Sequence, residues 1–198
     1  MIAYIDGKLT YKSPTHVHMD IGGLAYEIQI SLNTYASIEA MDAVKLFTHL
    51  IVRDDAHILF GFFDQKEKDL FAHLISVSGI GPNTARVILS YMTPKEAIGA
   101  IISDNVAAFK KVKGVGPKTA QRIIIDLKDK LAKINADMDE VISLPGIQPS
   151  VREEAISALV ALGFQKSAVS KQIDKLMTED SEDLQLEALI KSVLRQLS

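Results

Sequence analysis

Three observations predict a multidomain α+β chain. Residues 1–63 carry apolar residues at the two-residue period of half-buried strands. From Gln65 the period lengthens to that of helices, and a Gly-x-Gly-Pro stretch is written twice. From residue 150 a third, acidic segment reads as three helices behind a Pro- and Gly-containing stretch.

In the first segment, Val17, Met19 and Ile21 alternate with His16, His18 and Asp20, and Gly22-Gly23 marks a tight turn. Leu24, Tyr26, Ile28 and Ile30 resume the alternation, residues 31–40 fit a helical turn, and Val44–Val52 with His57–Phe63 make a further pair around Arg53-Asp54-Asp55-Ala56. With the opening segment Ile2–Leu9 this gives five short strands and a helical insertion between the third and fourth. That order predicts a small Greek-key barrel of the OB type. Such barrels often bind nucleic acid, but the fold alone does not assign the function.

The middle segment, 64–134, reads as a duplicated helix–hairpin–helix unit. Leu70, Phe71, Leu74 and Ile75 form a stripe leading into Val77-Ser78-Gly79-Ile80-Gly81-Pro82-Asn83-Thr84-Ala85-Arg86. Helix follows over Thr84–Tyr91, Thr93-Pro94-Lys95-Glu96 caps and restarts, and Ala97–Ile102 and Val106–Val112 lead to the second copy, Val112-Lys113-Gly114-Val115-Gly116-Pro117-Lys118-Thr119-Ala120-Gln121. Between Val77–Leu89 and Val112–Ile124, 7 of 13 aligned positions are identical. Glycines permit a sharp turn and close approach, and proline suits the first position of the exit helix. Outward amides beside a positive helix end make a site for one phosphate, so two copies suit two phosphates of a nucleic-acid backbone. The expected contacts are Gly79, Gly81, Thr84, Gly114, Gly116, Lys118, Thr119 and Arg122, with Lys110, Lys111 and Lys113 attracting from further away. Backbone amides read phosphate and not base, so binding is expected to be independent of sequence. The competing reading is a purely structural helix connection.

Charge divides along the same lines. The chain totals −3, but residues 64–134 hold 12 Lys/Arg against 7 Asp/Glu, while 1–63 hold 4 against 7 and 135–198 hold 6 against 11. Basic charge therefore gathers around the hairpins. On charge alone a solvated lysine-rich helix face explains it equally well.

After the hairpins, 135–149 reads as a linker with Leu144-Pro145-Gly146 and Gln148-Pro149. Ser150-Val151-Arg152-Glu153 is a capping box opening a helix with Ala155, Ile156, Leu159 and Leu162 on one face, ended by Gly163. Val169, Ile173, Leu176 and Met177 mark a second helix, and Leu189, Val193, Leu194 and Leu197 a third. An acidic unit of this size suits a protein partner better than DNA.

Several chemistries find no support. Gly114–Thr119 resembles the end of a P-loop, but Pro117 stands where glycine must precede the lysine, so no ATP hydrolysis is expected. There is no cysteine, no membrane-length apolar run and no basic leader, and a cytoplasmic location is expected. His16, His18, His49, His57 and His73 show no ligand spacing, and neither metal nor cofactor is expected. A DNA repair enzyme such as a glycosylase or nuclease would need a catalytic lysine or carboxylate at the hairpins, or a metal cluster; the near candidates, Asp126 and Asp129, fit a solvated helix face. A pure protein scaffold would leave the basic segment unexplained.

The whole chain resembles the RuvA family of bacterial Holliday-junction branch-migration proteins. The resemblance rests on Gly22–Glu27, Phe47-Thr48-His49, Val52–Ala56, Leu59–Phe62, both hairpins, Ile124–Asp129 and Ala158–Phe164. It implies an OB-fold domain over 1–63, a helix–hairpin–helix domain over 64–134 and a three-helix, UBA-like domain over 150–198. It further implies a homotetramer on four-way junction DNA, sometimes paired, with RuvC resolvase in the same complex. RuvB, docked on the third domain, supplies the motor and uses ATP and Mg²⁺; the chain itself is a non-catalytic subunit of the RuvAB helicase complex, acting in recombination, DNA repair and the SOS response. Asp54 and Asp55, ordinarily just solvated turn residues, become an acidic pin at the junction centre. Leu159, Leu162 and Phe164, core by periodicity, become in part the RuvB contact. Asn83, Tyr4 and Asp6 stand where relatives are often basic, which implies weaker DNA contacts there.

Overall fold

The computed structural model describes residues 2–139, 151–179 and 186–197. They form two compact units, the first running through Met138 and the second beginning at Asp139. The linker residues from Glu140, the Ser150 cap, and the side chains of Asp129, Met177 and Leu197 lie outside the described residues.

The first unit opens with five strands: β1 (Tyr4–Lys12), β2 (His16–Asp20), β3 (Ala25–Ile30), β4 (Ala43–Val52) and β5 (His57–Phe62). They close into a barrel in the order β1-β2-β3-β5-β4. All pairs are antiparallel except β3 with β5, where Ile28 faces Leu59 and Ile30 faces Gly61. This is the Greek-key barrel the alternation predicts, with helix α1 (Leu32–Ile38) inserted between β3 and β4. Ile5, Leu9, Val17, Met19, Ile28, Ile30, Leu46 and Leu59 fill its interior. Gly61 is small because it must be: a Cβ there would lie 2.5 Å from a methyl of Ile28.

Strand β5 breaks the alternation, since Leu59, Phe60, Gly61 and Phe62 are all buried. A strand covered on both faces reads as a continuous apolar run. Its second face is covered by α2 (Gln65–Ile75), whose Phe71 ring lies 5.0 Å from Phe60, 4.9 Å from Phe62 and 5.5 Å from His49. Burial, aided by the Lys68 ammonium, holds the His49 imidazole below its ordinary pKa and so favours the neutral ring that packs there. Phe60 and Phe62 thus belong to the core of the helical segment, so barrel and helices share buried residues across residue 63.

That segment comprises α2, α3 (Pro82–Tyr91), α4 (Pro94–Ile102), α5 (Val106–Lys110) and α6 (Pro117–Asp139). The capping box expected at Thr93 and Glu96 is formed in both directions. Helix α6 continues past Ile134 into the expected linker, because Asn135, Ala136, Asp137 and Met138 include neither Pro nor Gly to stop it.

A polar joint that periodicity could not disclose lies between barrel and helices. Glu67 of α2 is buried, and its carboxylate accepts from the hydroxyls of Ser31 and of Thr34, the latter at 2.7 Å. Ser31 also caps α1 by accepting from the Thr34 N–H, and the Thr34 hydroxyl accepts from the Phe63 N–H at 3.1 Å. At the other side of α1, Asn33 donates to the carbonyls of Leu89 and Met92 in and after α3. The short insertion therefore ties the barrel to α2 and α3 together.

The second unit packs α7 (Val151–Ala161), α8 (Lys166–Glu179) and α9 (Leu186–Leu197) around Ala155, Leu159, Val169, Ile173, Leu189 and Val193. Arg152 on α7 pairs with Asp174 on α8 at 2.7 Å.

Burial raises the Glu67 pKa in the folded chain, against the smaller opposing pull of the Ser31 and Thr34 hydroxyls. A carboxyl that holds its proton more tightly when folded loses stability as pH rises from the ordinary carboxylate range through its folded value. Glu67→Gln, which cannot ionise, should therefore improve relative to wild type between pH 4.5 and pH 7 in thermal unfolding; parallel curves would refute this. Glu67→Ala should cost about 1–3 kcal/mol by leaving the two hydroxyls without their acceptor.

Candidate nucleic-acid interface

Each hairpin is built the same way. Val77 and Val112 are buried anchors, as are Ile80 and Val115, and each pair is closed by a backbone hydrogen bond, Ile80 N–H to Val77 carbonyl at 3.0 Å and Val115 N–H to Val112 carbonyl at 3.1 Å. The alternate residues are consequently turned outward: Ser78, Gly79, Gly81, Lys113, Gly114 and Gly116 are exposed.

The two glycines of each copy do different jobs. Gly79 and Gly114 sit at φ +91° and +89°, the left-handed region that side chains disfavour. Gly81 has φ −86° and caps α3 without any side-chain hydrogen bond, and Gly116 also lies outside the left-handed region. A Cβ on Gly81 or Gly116 would meet nothing within 4 Å. The first glycine makes the turn; the second leaves the first-turn amides of the exit helix uncovered, where the helix dipole is positive.

The two copies adjoin. A Cβ on Gly79 would be 4.0 Å from the Thr119 hydroxyl. An open hollow of about 330 Å³ lies between Ser78 and Gly79 of the first hairpin and Lys118, Thr119 and Arg122 at the start of α6. Four of the eight expected contact residues, Gly79, Lys118, Thr119 and Arg122, line this hollow; Gly81, Gly114 and Gly116 lie in the two turns, and Thr84 is half-buried on α3. Lys110, Lys111, Lys113, Lys118 and Arg122 are all exposed; Lys118 and Arg122 line this hollow, whereas Lys111 lines a separate one with Tyr91 and Glu96. The surface can hold anionic oxygens through amides, a hydroxyl and mobile cations.

Arg86, the basic residue inside the first copy, is used otherwise. Its Nη1 donates to the Thr15 carbonyl at 3.0 Å and to Gln29 Oε1 at 2.6 Å, so it braces α3 on the barrel. Asn83 is exposed, and Tyr4 lies beneath the Lys45 ammonium at 4.0 Å in a cation–π contact on the barrel surface.

Asp54 and Asp55 form the tip between β4 and β5. The tip is closed by the Arg53 N–H donating to the Ala56 carbonyl at 2.9 Å, and Val52, Arg53 and both aspartates are exposed. Among the described residues no ion pair joins either carboxylate to a cation. In the second unit the three apolar candidates separate: Leu159 is wholly buried, Phe164 packs partly against the core, and Leu162 is 63% exposed. Only surface residues can meet a partner while the core stays closed, so Leu159 is core and Leu162 carries the accessible apolar area.

The histidines require a correction. Residues two apart on a strand share a face, and β2 pairs with β3 so that His18 faces Glu27. His16, His18 and Glu27 consequently offer ligand atoms within 4.8 Å of one another. Linear spacing concealed this because the third member comes from the neighbouring strand.

Comparison with known proteins covers nearly the whole chain. A model of the RuvA N-terminal domain matches residues 1–61, one of the SAM-like helix-hairpin-helix tandem matches 71–129, and one of the RuvA C-terminal domain matches 150–198. Curated proteins named Holliday junction branch migration complex subunit RuvA are similar throughout. That of Cytophaga hutchinsonii is 45% identical over 197 residues, covering 98% of this chain and 99% of its own. That of Flavobacterium psychrophilum is 47% identical over 197 residues and covers all of both chains.

The division of labour between the glycines is testable. Gly114→Ala should lose about 1–2 kcal/mol of stability through the left-handed backbone. Gly116→Ala should leave stability within about 0.5 kcal/mol yet weaken DNA binding by covering the amides. Equal effects of the two on melting temperature and DNA affinity would refute the assignment.

Proposed function

The chain belongs to the RuvA family, and we propose that it binds four-way Holliday junctions by structure and not by sequence, and positions the RuvB ATPase on them for branch migration. The observation that carries this reading is the adjoining pair of amide-presenting hairpins, fixed through a shared core to a barrel whose exposed tip is acidic. The chain is the non-catalytic subunit: the hairpins supply phosphate contacts, and ATP and Mg²⁺ belong to the RuvB partner. No helix among the described residues is long and apolar enough to cross a membrane, and a cytoplasmic place of action accords with a DNA substrate.

Gly79, Gly81, Thr84, Gly114, Gly116, Lys118, Thr119 and Arg122 are proposed to hold the arms of the junction. Contacts of this kind are indifferent to base identity and steeply salt-dependent. They cannot by themselves prefer a junction, since linear duplex offers the same phosphates. Preference comes from Asp54 and Asp55, whose carboxylates repel a continuous backbone passing beneath them. At a crossover, where the strands diverge, the same charges stand between the arms and favour separation. Four copies around the centre, or two such tetramers facing one another, would present the tips together. The domain division at residues 63 and 150 follows these duties, and the third domain offers Leu162, with Phe164 beside it, to RuvB. RuvC is the proposed third member of the assembly.

A competition between a synthetic four-way junction and linear duplex of the same sequence should favour the junction strongly; equal affinity would sink the reading. Asp54→Asn with Asp55→Asn should raise affinity for linear duplex, and an unchanged value would remove these residues from the role. Removing residues 150–198 should preserve junction binding and abolish RuvB-driven migration, and retained migration would refute docking through the second unit.

A further inference from the structure

We propose that His16, His18 and Glu27 form a binding site for a zinc-class divalent cation on the outer face of the barrel. One imidazole nitrogen from each histidine and a Glu27 oxygen lie within 4.8 Å of one another, and His18 Nε2 is already 3.7 Å from Glu27 Oε2. A tetrahedral zinc set brings its ligand atoms to about 3.3 Å, with metal–ligand bonds of about 2.0–2.2 Å. All three side chains are partly or fully exposed, so small rotations close that gap without moving the strands. Three protein ligands leave a fourth position for water.

The surroundings prepare these groups for a metal. The Ser13 hydroxyl donates its one proton to the His16 carbonyl at 2.8 Å. It also lies 3.0 Å from His16 Nδ1, and a proton on Nδ1 donated to it would leave the Nε2 lone pair free for a metal. The Thr15 hydroxyl lies 3.2 Å from the same nitrogen. The Tyr11 ring contacts both imidazoles, at centroid distances of 5.2 Å and 4.9 Å, and restrains their planes. Gln29 donates to Glu27 Oε1 at 3.0 Å, so the carboxylate is oriented with Oε2 towards His18. Partners of this kind orient metal ligands and raise their affinity. Two imidazoles with one carboxylate suit zinc and its transition-metal neighbours, whereas Mg²⁺ and Ca²⁺ require oxygen sets.

The site is tied to the DNA-binding segment. Gln29, which holds Glu27, itself accepts from Arg86 of α3. A bound cation would terminate a hydrogen-bonded line running from the barrel face into the exit helix of the first hairpin.

Zn²⁺ alone, titrated calorimetrically into the untagged full-length chain at pH 7.5, should bind at about one ion per chain, and Co²⁺ should develop the visible absorption of a four-coordinate ion. His18→Gln and Glu27→Gln should each weaken Zn²⁺ binding about tenfold or more, while His57→Gln, remote in sequence and not among the ligands, should not. Melting of the metal-free variants checks that they remain folded, and His16→Gln provides an independent ligand removal. Absence of stoichiometric Zn²⁺ binding, equal binding by wild type and the ligand variants, or equal binding of Mg²⁺ would each overturn the proposal.

Discussion

One packing contact, Phe71 of α2 against Phe60 and Phe62 of β5, holds the helical segment to the barrel. Strand β5 begins at the acidic tip, and α2 ends at the first hairpin. A single aromatic cluster therefore joins the strand that follows the acidic tip to the helix that precedes the first hairpin. The buried Glu67, with Ser31 and Thr34, fixes the rotation of α2 on the barrel in a way that non-directional aromatic contacts cannot. The acidic tip and the hairpins are thereby held at set positions on one shared core.

Much of the architecture was legible in the residues. Alternation through Val17, Met19, Ile28 and Ile30 located strands, and the recurrence of Gly-x-Gly-Pro located both hairpins, because these signals are local and periodic. What stayed hidden was set by contacts across the chain. Glu67 reads as an ordinary helix-surface acid until α1 is laid against it. The bond of Arg86 to Gln29 and the Thr15 carbonyl, which braces α3 on the barrel, leaves no mark in the sequence. The two glycines of a hairpin look equivalent in sequence, yet only the first has the backbone angle that excludes a side chain. The His16–His18–Glu27 cluster required strand register, which one strand's sequence does not contain. Asp54 and Asp55 drew their meaning from family resemblance, since a solvated turn and an electrostatic wedge look the same in sequence.

The modest net charge of −3 conceals a deliberate segregation. Cations gather where the amides face outward, while the barrel and second unit are acidic. A uniform distribution of the same charges would lose steering towards DNA and would let the second unit compete for the same phosphates. Burial sorts the second unit similarly, keeping Leu159 inside and leaving Leu162 on the surface.

Closure of the barrel has a consequence for self-assembly. With β1 hydrogen-bonded to both β2 and β4, and β3 to β5, the sheet presents no unpaired strand along its length. Copies of the chain cannot associate by extending one another's sheets. Contacts between copies must therefore be made by something other than strand pairing, which leaves the barrel's own hydrogen bonds undisturbed.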